Sequence, residues 1–174
     1  MKRILITGSG GLIGSEAVAY FSNDSTKIVG VDNDFRKQLF GPAGCIVKNV
    51  ERLHAMFPDY EHSWLSITNR SEMMSLVQEF VPDVIINCAG QPSHDKAASI
   101  AFDDFDVNAV GVLNLLEALR TYTPKSTFVQ MSTNKIYGDW PNLERYVEGD
   151  SRLYYDGVNS DIAVNGFSEF TPID

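Results

Sequence analysis

The sequence predicts a doubly wound parallel α/β sheet, and three observations carry that prediction. Short apolar runs alternate with helical patterns through five predicted strands. The first run passes into its helix through a glycine-spaced turn. Each polar loop able to do chemistry falls at the carboxyl end of a predicted strand, where open α/β sheets bind ligands.

Taken in order, Ile4-Leu5-Ile6 is a short buried strand and Leu12 to Phe21 an amphipathic helix. Between them runs Thr7-Gly8-Ser9-Gly10-Gly11-Leu12-Ile13-Gly14. Gly8 permits a backbone turn closed to residues with a Cβ, and Gly11 permits close approach of main chain to a ligand. Gly14 lets the helix lie against the strand. The helix N-terminus aims unpaired N–H groups and a positive dipole end at the space above, which suits a pyrophosphate. The spacing is Gly-x-x-Gly-x-x-Gly, and such a triplet alone also describes an ordinary tight β-to-α turn. The next strand supplies the missing context. Lys27 to Val31 is followed by Asp32, 18 residues past Gly14. A carboxylate there accepts hydrogen bonds from both adenosine ribose hydroxyls and repels a 2′-phosphate. NAD is the expected cofactor, with Arg36 keeping NADP as the alternative.

The stretch from Asn33 to about Lys48 reads as a loop broken at Gly41-Pro42, and Val50 to Met56 as a short helix stopped at Pro58. Tyr60 to Leu65 is the third strand, required by the alternation more than by its own pattern. Asn69-x-x-Glu72 is a capping box opening a helix that ends at Phe80, before Pro82. Asp83 to Cys88 has the continuous apolar character of a buried parallel strand. Ala89 to Lys96 is a polar loop and Ala97 to Tyr122 a long helical stretch, in which Gly111 permits close packing or a kink. Ser126 to Met131 is the fifth strand and delivers Ser132 to Gly138 at its end. The ligand edge therefore gathers Gly8–Gly14, Asp32-Asn33, Ser66-Ile67, Ala89–Gln91 and Ser132–Lys135.

Composition narrows the partners. The net charge is −9 and the pI near 4.7, which argues against nucleic acid and anionic membrane. Phosphate must then be held locally, by backbone N–H groups. Cys45 and Cys88 lack metal or redox spacing, no metal site is expected, and Cys88 reads as inert core. With no leader-like or membrane-length apolar run, a cytoplasmic protein is expected. From Asp139 to Asp174, eight acidic residues face two basic ones, with neither helical nor strand period. Leu153, Tyr154, Tyr155, Val158, Ile162, Val164, Phe167 and Phe170 make this stretch too apolar for a disordered tail. The expected division is 1–138 as the dinucleotide-binding domain and 139–174 as an acidic irregular segment leading toward a missing catalytic half.

Three segments resemble the extended short-chain dehydrogenase/reductases, specifically the NAD-dependent nucleotide-sugar epimerases and dehydratases. The turn at Thr7–Gly14 is similar to that family's TGxxGxxG. Asn108-x-x-Gly111-x-x-Asn114-Leu115-Leu116-Glu117-Ala118 is similar to its NxxGxxNLLEA helix. Ser132-Thr133-Asn134-Lys135-Ile136-Tyr137-Gly138 is similar to its S[ST]xxVYG segment, in a form most like the CDP-tyvelose (CDP-paratose) 2-epimerases. The resemblance implies an NAD(P)-binding Rossmann fold, ending here after its fifth strand. It implies that Gly8, Gly11, Leu12, Ile13, Gly14, Asp32 and Asn33 hold the adenosine and pyrophosphate. Ser66 and Ile67 would meet adenine, and Ala89, Gly90 and Gln91 would line the nicotinamide side, with Asn108 fixing local geometry. Thr133 falls where the family has its catalytic Ser or Thr, although a strand-end hydroxyl bonding nearby backbone is the plainer reading of that residue alone. Lys135 and His94 read as surface residues.

Departures from the pattern carry as much information. Ser66 stands where relatives usually have Asp, Val112 replaces a common Thr, and Asn134-Lys135 replaces the Asp-Glu pair of 4,6-dehydratases, which disfavours dehydration. None of the seven tyrosines has Lys four residues later. In the family that Lys stabilises the tyrosinate serving as base, because a free phenol loses its proton only near pH 10. The leading reading is the cofactor-binding half of an NAD-dependent nucleotide-sugar epimerase, which needs the missing half to act on its sugar. A non-catalytic NAD-binding module and a dehydratase or reductase of the same superfamily are the alternatives. A homo-oligomer is compatible with either.

Overall fold

The structure, a computed structural model, describes residues 1–171. The chain forms two compact units, Met1–Met131 and a second beginning at Ser132.

The first unit is built on a five-stranded sheet in the order β3-β2-β1-β4-β5, with every neighbouring pair parallel. In chain order its elements begin β1 (Lys2–Thr7), α1 (Leu12–Phe21), β2 (Thr26–Val31), α2 (Phe35–Phe40) and α3 (Val47–Met56). They continue β3 (Glu61–Ser63), α4 (Arg70–Phe80), β4 (Val84–Asn87), α5 (His94–Ala97), α6 (Ala101–Phe105), α7 (Gly111–Tyr122) and β5 (Thr127–Gln130). Alternation along the strands splits the core in two. Leu5, Val29, Val31 and Ile85 face Met73, Val77 and Phe80 of α4 and Leu115 and Ala118 of α7. Ile4, Ile6, Ile28 and Ile86 face Val18 of α1 and Leu53 of α3. Both faces of the sheet are thus covered, as the unbroken apolar strands require. β5 closes the order with Thr127, Val129 and Gln130 exposed.

The capping box at α4 forms: the Asn69 side chain accepts from the Glu72 N–H and donates to its carboxylate. Val81 then leaves the helix at φ 49°, a left-handed conformation costly for a β-branched residue. Elsewhere the local readings need correction. The expected loop from Asn33 contains α2 and a 3₁₀ turn, Gly41–Gly44, because the Asn33 side chain accepts from the Phe35 N–H and starts a helix with no apolar period. The long helix expected from Ala97 is interrupted. α5 is a single turn, a break follows, and Asp106–Val110 is a π-helical turn between α6 and α7. Among the described residues no helix is long and apolar enough to cross a membrane.

The second unit is short of regular structure but not irregular. A 3₁₀ turn (Asn134–Tyr137) and α8 (Trp140–Leu143) precede β6 (Tyr146–Glu148) and β7 (Leu153–Tyr155), which pair antiparallel as a separate hairpin, and α9 (Ser160–Asn165) follows. Strands of three mostly exposed residues carry no readable period. The Tyr146 and Tyr155 rings meet edge to face at 6.2 Å. The Tyr155 hydroxyl donates to Glu144 (3.0 Å) and accepts from the Asn159 N–H (3.1 Å). The last three residues of the expected acidic segment lie outside the described residues.

Candidate functional site

The turn between β1 and α1 owes its shape to its glycines. Gly8 sits at φ +64°, where a Cβ would lie 2.7 Å from the Cys88 carbonyl and the Ala89 nitrogen. The Gly8 carbonyl accepts from the Gly11 N–H at 3.0 Å. A Cβ on Gly14 would stand 2.1 Å from that same carbonyl oxygen. Gly14 therefore admits the folded turn itself, more than the strand that sequence reasoning assigned to it. No side chain caps α1, and its first turn holds no acidic residue. Leu12, Ile13 and Gly14 thus present the N–H groups that helix geometry leaves unpaired, with the positive dipole end behind them.

Asp32 ends β2 beside this turn. Its Oδ2 accepts from the Gly10 N–H (3.2 Å) and its Oδ1 from the Asp34 N–H (3.0 Å). Burial pushes its pKa up against the pull of those backbone donors. Each carboxylate oxygen keeps a further lone pair for a ligand hydroxyl. Asp34, at φ 55°, accepts from the Ile46 N–H (3.0 Å) and the Cys45 thiol (3.3 Å). This hooks the following loop back so that Ile46 covers Gly10, where a Cβ would meet its Cδ1 at 2.2 Å. Asn49 completes the hold, donating to the Gly10 carbonyl at 2.8 Å.

On the opposite side, α7 and the π-helical turn grip two loops. Gly111 packs under Ile67, whose Cδ1 would be 2.5 Å from a Cβ there. The buried Asn114 amide donates to the carbonyls of Ile67 (3.0 Å) and Thr68 (3.2 Å). The Ser66 hydroxyl is bonded to Thr68 at 2.7 Å. Asn108 accepts from the Gln91 N–H (3.0 Å) and donates to Asp104 (3.2 Å), which also receives the Gln91 side-chain amide (2.7 Å).

Together these parts enclose a cleft of about 240 Å³. Gly8, Gly11, Leu12, Ile13 and Gly14 form one wall, Asp32 and Asn33 another, Ser66 and Ile67 a third, and Ala89 and Gly90 a fourth. Gln91 and Asn108 are not in the walls. They are bonded to each other behind Gly90. Cys88 does reach the cleft, but burial pushes its thiol up to about 11, which leaves it unreactive at neutral pH. Thr133 belongs to the second unit, where its hydroxyl accepts from the Lys135 N–H at 3.2 Å. Sequence reasoning passed over Asn49, Asp104 and Asn114, which shape the cleft from behind, and Phe35, Ile46, Leu65, Pro92 and Val107, which line it. Asn114 alone carried a signal, as the second Asn of the helix motif. The others are reached only through the fold.

A model of the NAD dependent epimerase/dehydratase family matches residues 4–155. CDP-paratose 2-epimerase of Salmonella typhi is 29% identical over 99% of this chain and 47% of its own length. dTDP-glucose 4,6-dehydratase of Neisseria meningitidis is 30% identical over 80% of this chain and 39% of its own. Among solved structures, a UDP-glucose 4-epimerase from Stenotrophomonas maltophila with bound NAD and formylated UDP-arabinopyranose superposes with a TM-score of 0.66 at 25% identity. It covers 79% of this chain and 39% of that one. The chain spans less than half the length of these relatives.

Proposed function

The chain belongs to the NAD dependent epimerase/dehydratase family, and from that premise we propose that its cleft holds NAD and that it serves as the cofactor-binding half of a nucleotide-sugar epimerase. One observation carries the reading: the glycine wall and the unneutralised N-terminus of α1 stand beside Asp32, whose two oxygens keep accepting capacity. A glycine-rich wall of main chain, ending in the N–H donors of Leu12 and Ile13, fits a pyrophosphate. A half-buried carboxylate one strand away fits a ribose diol.

In this reading Leu12 and Ile13 hold the pyrophosphate through backbone N–H groups, with Gly11 allowing its close approach, and Asp32 and Asn33 take the ribose. Ser66 and Ile67 bound the adenine, and Ala89 and Gly90 bound the nicotinamide side, on a loop that Asn108 fixes through Gln91. NAD, when bound, supplies the hydride acceptor. The epimerase reading is favoured over dehydration by Asn134-Lys135 in place of an acid–base pair, and by the similarity to a 2-epimerase along almost the whole chain. Thr133 is assigned to hydrogen-bond the reacting sugar hydroxyl. With its ordinary acidity that hydroxyl is too weak an acid to act as the base at neutral pH, and no tyrosine in the 174 residues has a Lys four positions later.

The test is to incubate the 174-residue chain with NAD and a panel of CDP-, UDP-, GDP- and dTDP-sugars and to follow epimer by chromatography and reduced nicotinamide by absorbance. General-base catalysis is typically worth about 10²–10⁴-fold, so the expected result is cofactor binding without measurable epimer. Turnover at ordinary enzyme rates would mean that another residue replaces the tyrosine. Failure to bind NAD would remove the cofactor assignment.

A further inference from the structure

We propose that Tyr60 and His62, which line no part of the cleft, are positioning residues for the glycine turn, acting on it through the buried hydroxyl of Ser9. Ser9 is the one residue of the turn whose side chain is turned wholly inward, with no exposed surface. Its Oγ accepts from the Tyr60 hydroxyl at 3.1 Å. That hydroxyl lies 2.8 Å from His62 Nδ1, and Nδ1 lies 3.4 Å from Ser9 Oγ, so the three groups close a triangle beneath the turn. Gly30 on β2 makes room for it. A Cβ there would stand 2.2 Å from the Tyr60 oxygen and 2.5 Å from Ser9 Oγ. The Ser9 N–H donates to Val31 on the same strand at 3.3 Å, which pins the other end of the residue.

The chemistry of the triangle suits a fixed support. With its proton on Nδ1, His62 donates to Tyr60 and Tyr60 donates to Ser9. The buried Nε2, which has no hydrogen-bond partner among the described residues, then presents a lone pair and not an N–H. Burial and the neighbouring His54 hold the His62 pKa down at about 4, so the ring stays neutral at physiological pH, and burial holds the Tyr60 hydroxyl protonated. The Tyr60 ring is itself buried against His54 of α3, with centroids 5.2 Å apart. Removing the Tyr60 oxygen therefore leaves the ring seated and leaves the Ser9 hydroxyl, where water does not reach it, only the long 3.4 Å contact with His62 Nδ1. The hydroxyl regains a short hydrogen bond only if the turn moves, and the turn carries the start of α1, with the N–H groups of Leu12 and Ile13, along with it.

The functional consequence rests on the reading that the cleft holds NAD, so the experiment has two readouts. The proteins are wild type, Tyr60→Phe, Ser9→Ala and the double variant. Amide hydrogen exchange of the peptide spanning Gly8–Gly14 is measured without cofactor, and NAD affinity by calorimetry well below each melting temperature. Tyr60→Phe is expected to speed exchange in the turn and to weaken NAD about fivefold, the equivalent of one neutral hydrogen bond. In the Ser9→Ala background the same change should add nothing to either readout. Unchanged exchange in Tyr60→Phe, or equal effects in both backgrounds, overturns the proposal. A lowered melting temperature with unaltered NAD affinity also overturns it, since a merely structural tyrosine would give that result. If wild type binds no NAD, the functional reading falls, and exchange alone still decides whether Tyr60 acts on the turn through Ser9. Should Tyr60→Phe fail to fold, His62→Gln tests the same support.

Discussion

The two units hold themselves together by different means. In the first, strands that are apolar on both faces bury Leu5, Ile6, Ile85, Val18 and Leu115 completely, and the glycine turn above them is fixed from several directions at once. In the second, among the described residues, no side chain is buried; the last described residue that is buried is Thr123. Ring pairs, caps and the ion pair of Arg145 with Asp156 organise it instead. The lesson is that positional accuracy follows from burial. Gly10 is held by Asp32, Asn49 and Ile46 because each is itself anchored in a packed layer. The hydroxyl bonds of Tyr155 have only local anchors.

The largest expected effect strikes the packed turn. Gly14→Ala puts a Cβ 2.1 Å from the Gly8 carbonyl, backbone that cannot swing away. Ordinary helix propensity would make this change favourable by about 1 kcal/mol. Overpacking should instead cost about 2–3 kcal/mol in urea unfolding. A neutral or stabilising result would show that the turn is loose.

Acid should act on the same region. His62 falls from an ordinary value near 6.5 to about 4 on folding. Between those values the unfolded chain binds a proton that the folded chain refuses, so the stability contributed is complete above pH 6.5 and is lost as pH falls toward 4. Allowing for the partial exposure of the ring, the loss is on the order of 1–2 kcal/mol. Denaturation midpoints of wild type and His62→Gln across this window should differ in slope, and parallel profiles would contradict the assignment.

In the second unit, Tyr155→Phe removes a donor to Glu144 and an acceptor for the Asn159 N–H. About 1 kcal/mol of local stability should go. Limited proteolysis should speed within 144–160 while the unfolding of the first unit stays unchanged. A matching loss in the first unit would erase the contrast between the two. The smallest change is a gain: Val81→Gly relieves the left-handed C-cap after α4 and should add about 0.5–1 kcal/mol.

The sheet was legible because its signals are local and redundant. Leu5 and Ile85 sit in short apolar runs, Asn69 and Glu72 form a box, and Asp32 follows its strand. The walls of the cleft were legible for the same reason, since glycine spacing and strand ends mark them. The supports behind the walls were not. Asn49 reaches Gly10 across 39 residues, and Tyr60 reaches Ser9 across 51. Nothing in the local pattern of an exposed-looking Asn or Tyr announces such a partner. The hairpin of β6 and β7 escaped for the opposite reason: three residues per strand, nearly all exposed, leave no period to read.

The most direct measurement is calorimetric titration of NAD and NADP into wild type and Asp32→Ala. The substitution removes both the acceptor for the ribose hydroxyls and the carboxylate that holds the Gly10 N–H. Wild type should bind NAD in preference to NADP, and Asp32→Ala should lose NAD affinity by about 100-fold or more, as expected for two hydrogen bonds to a charged group. Equal NAD affinity in the two proteins would show that the cleft beside Asp32 is not where the adenosine ribose rests.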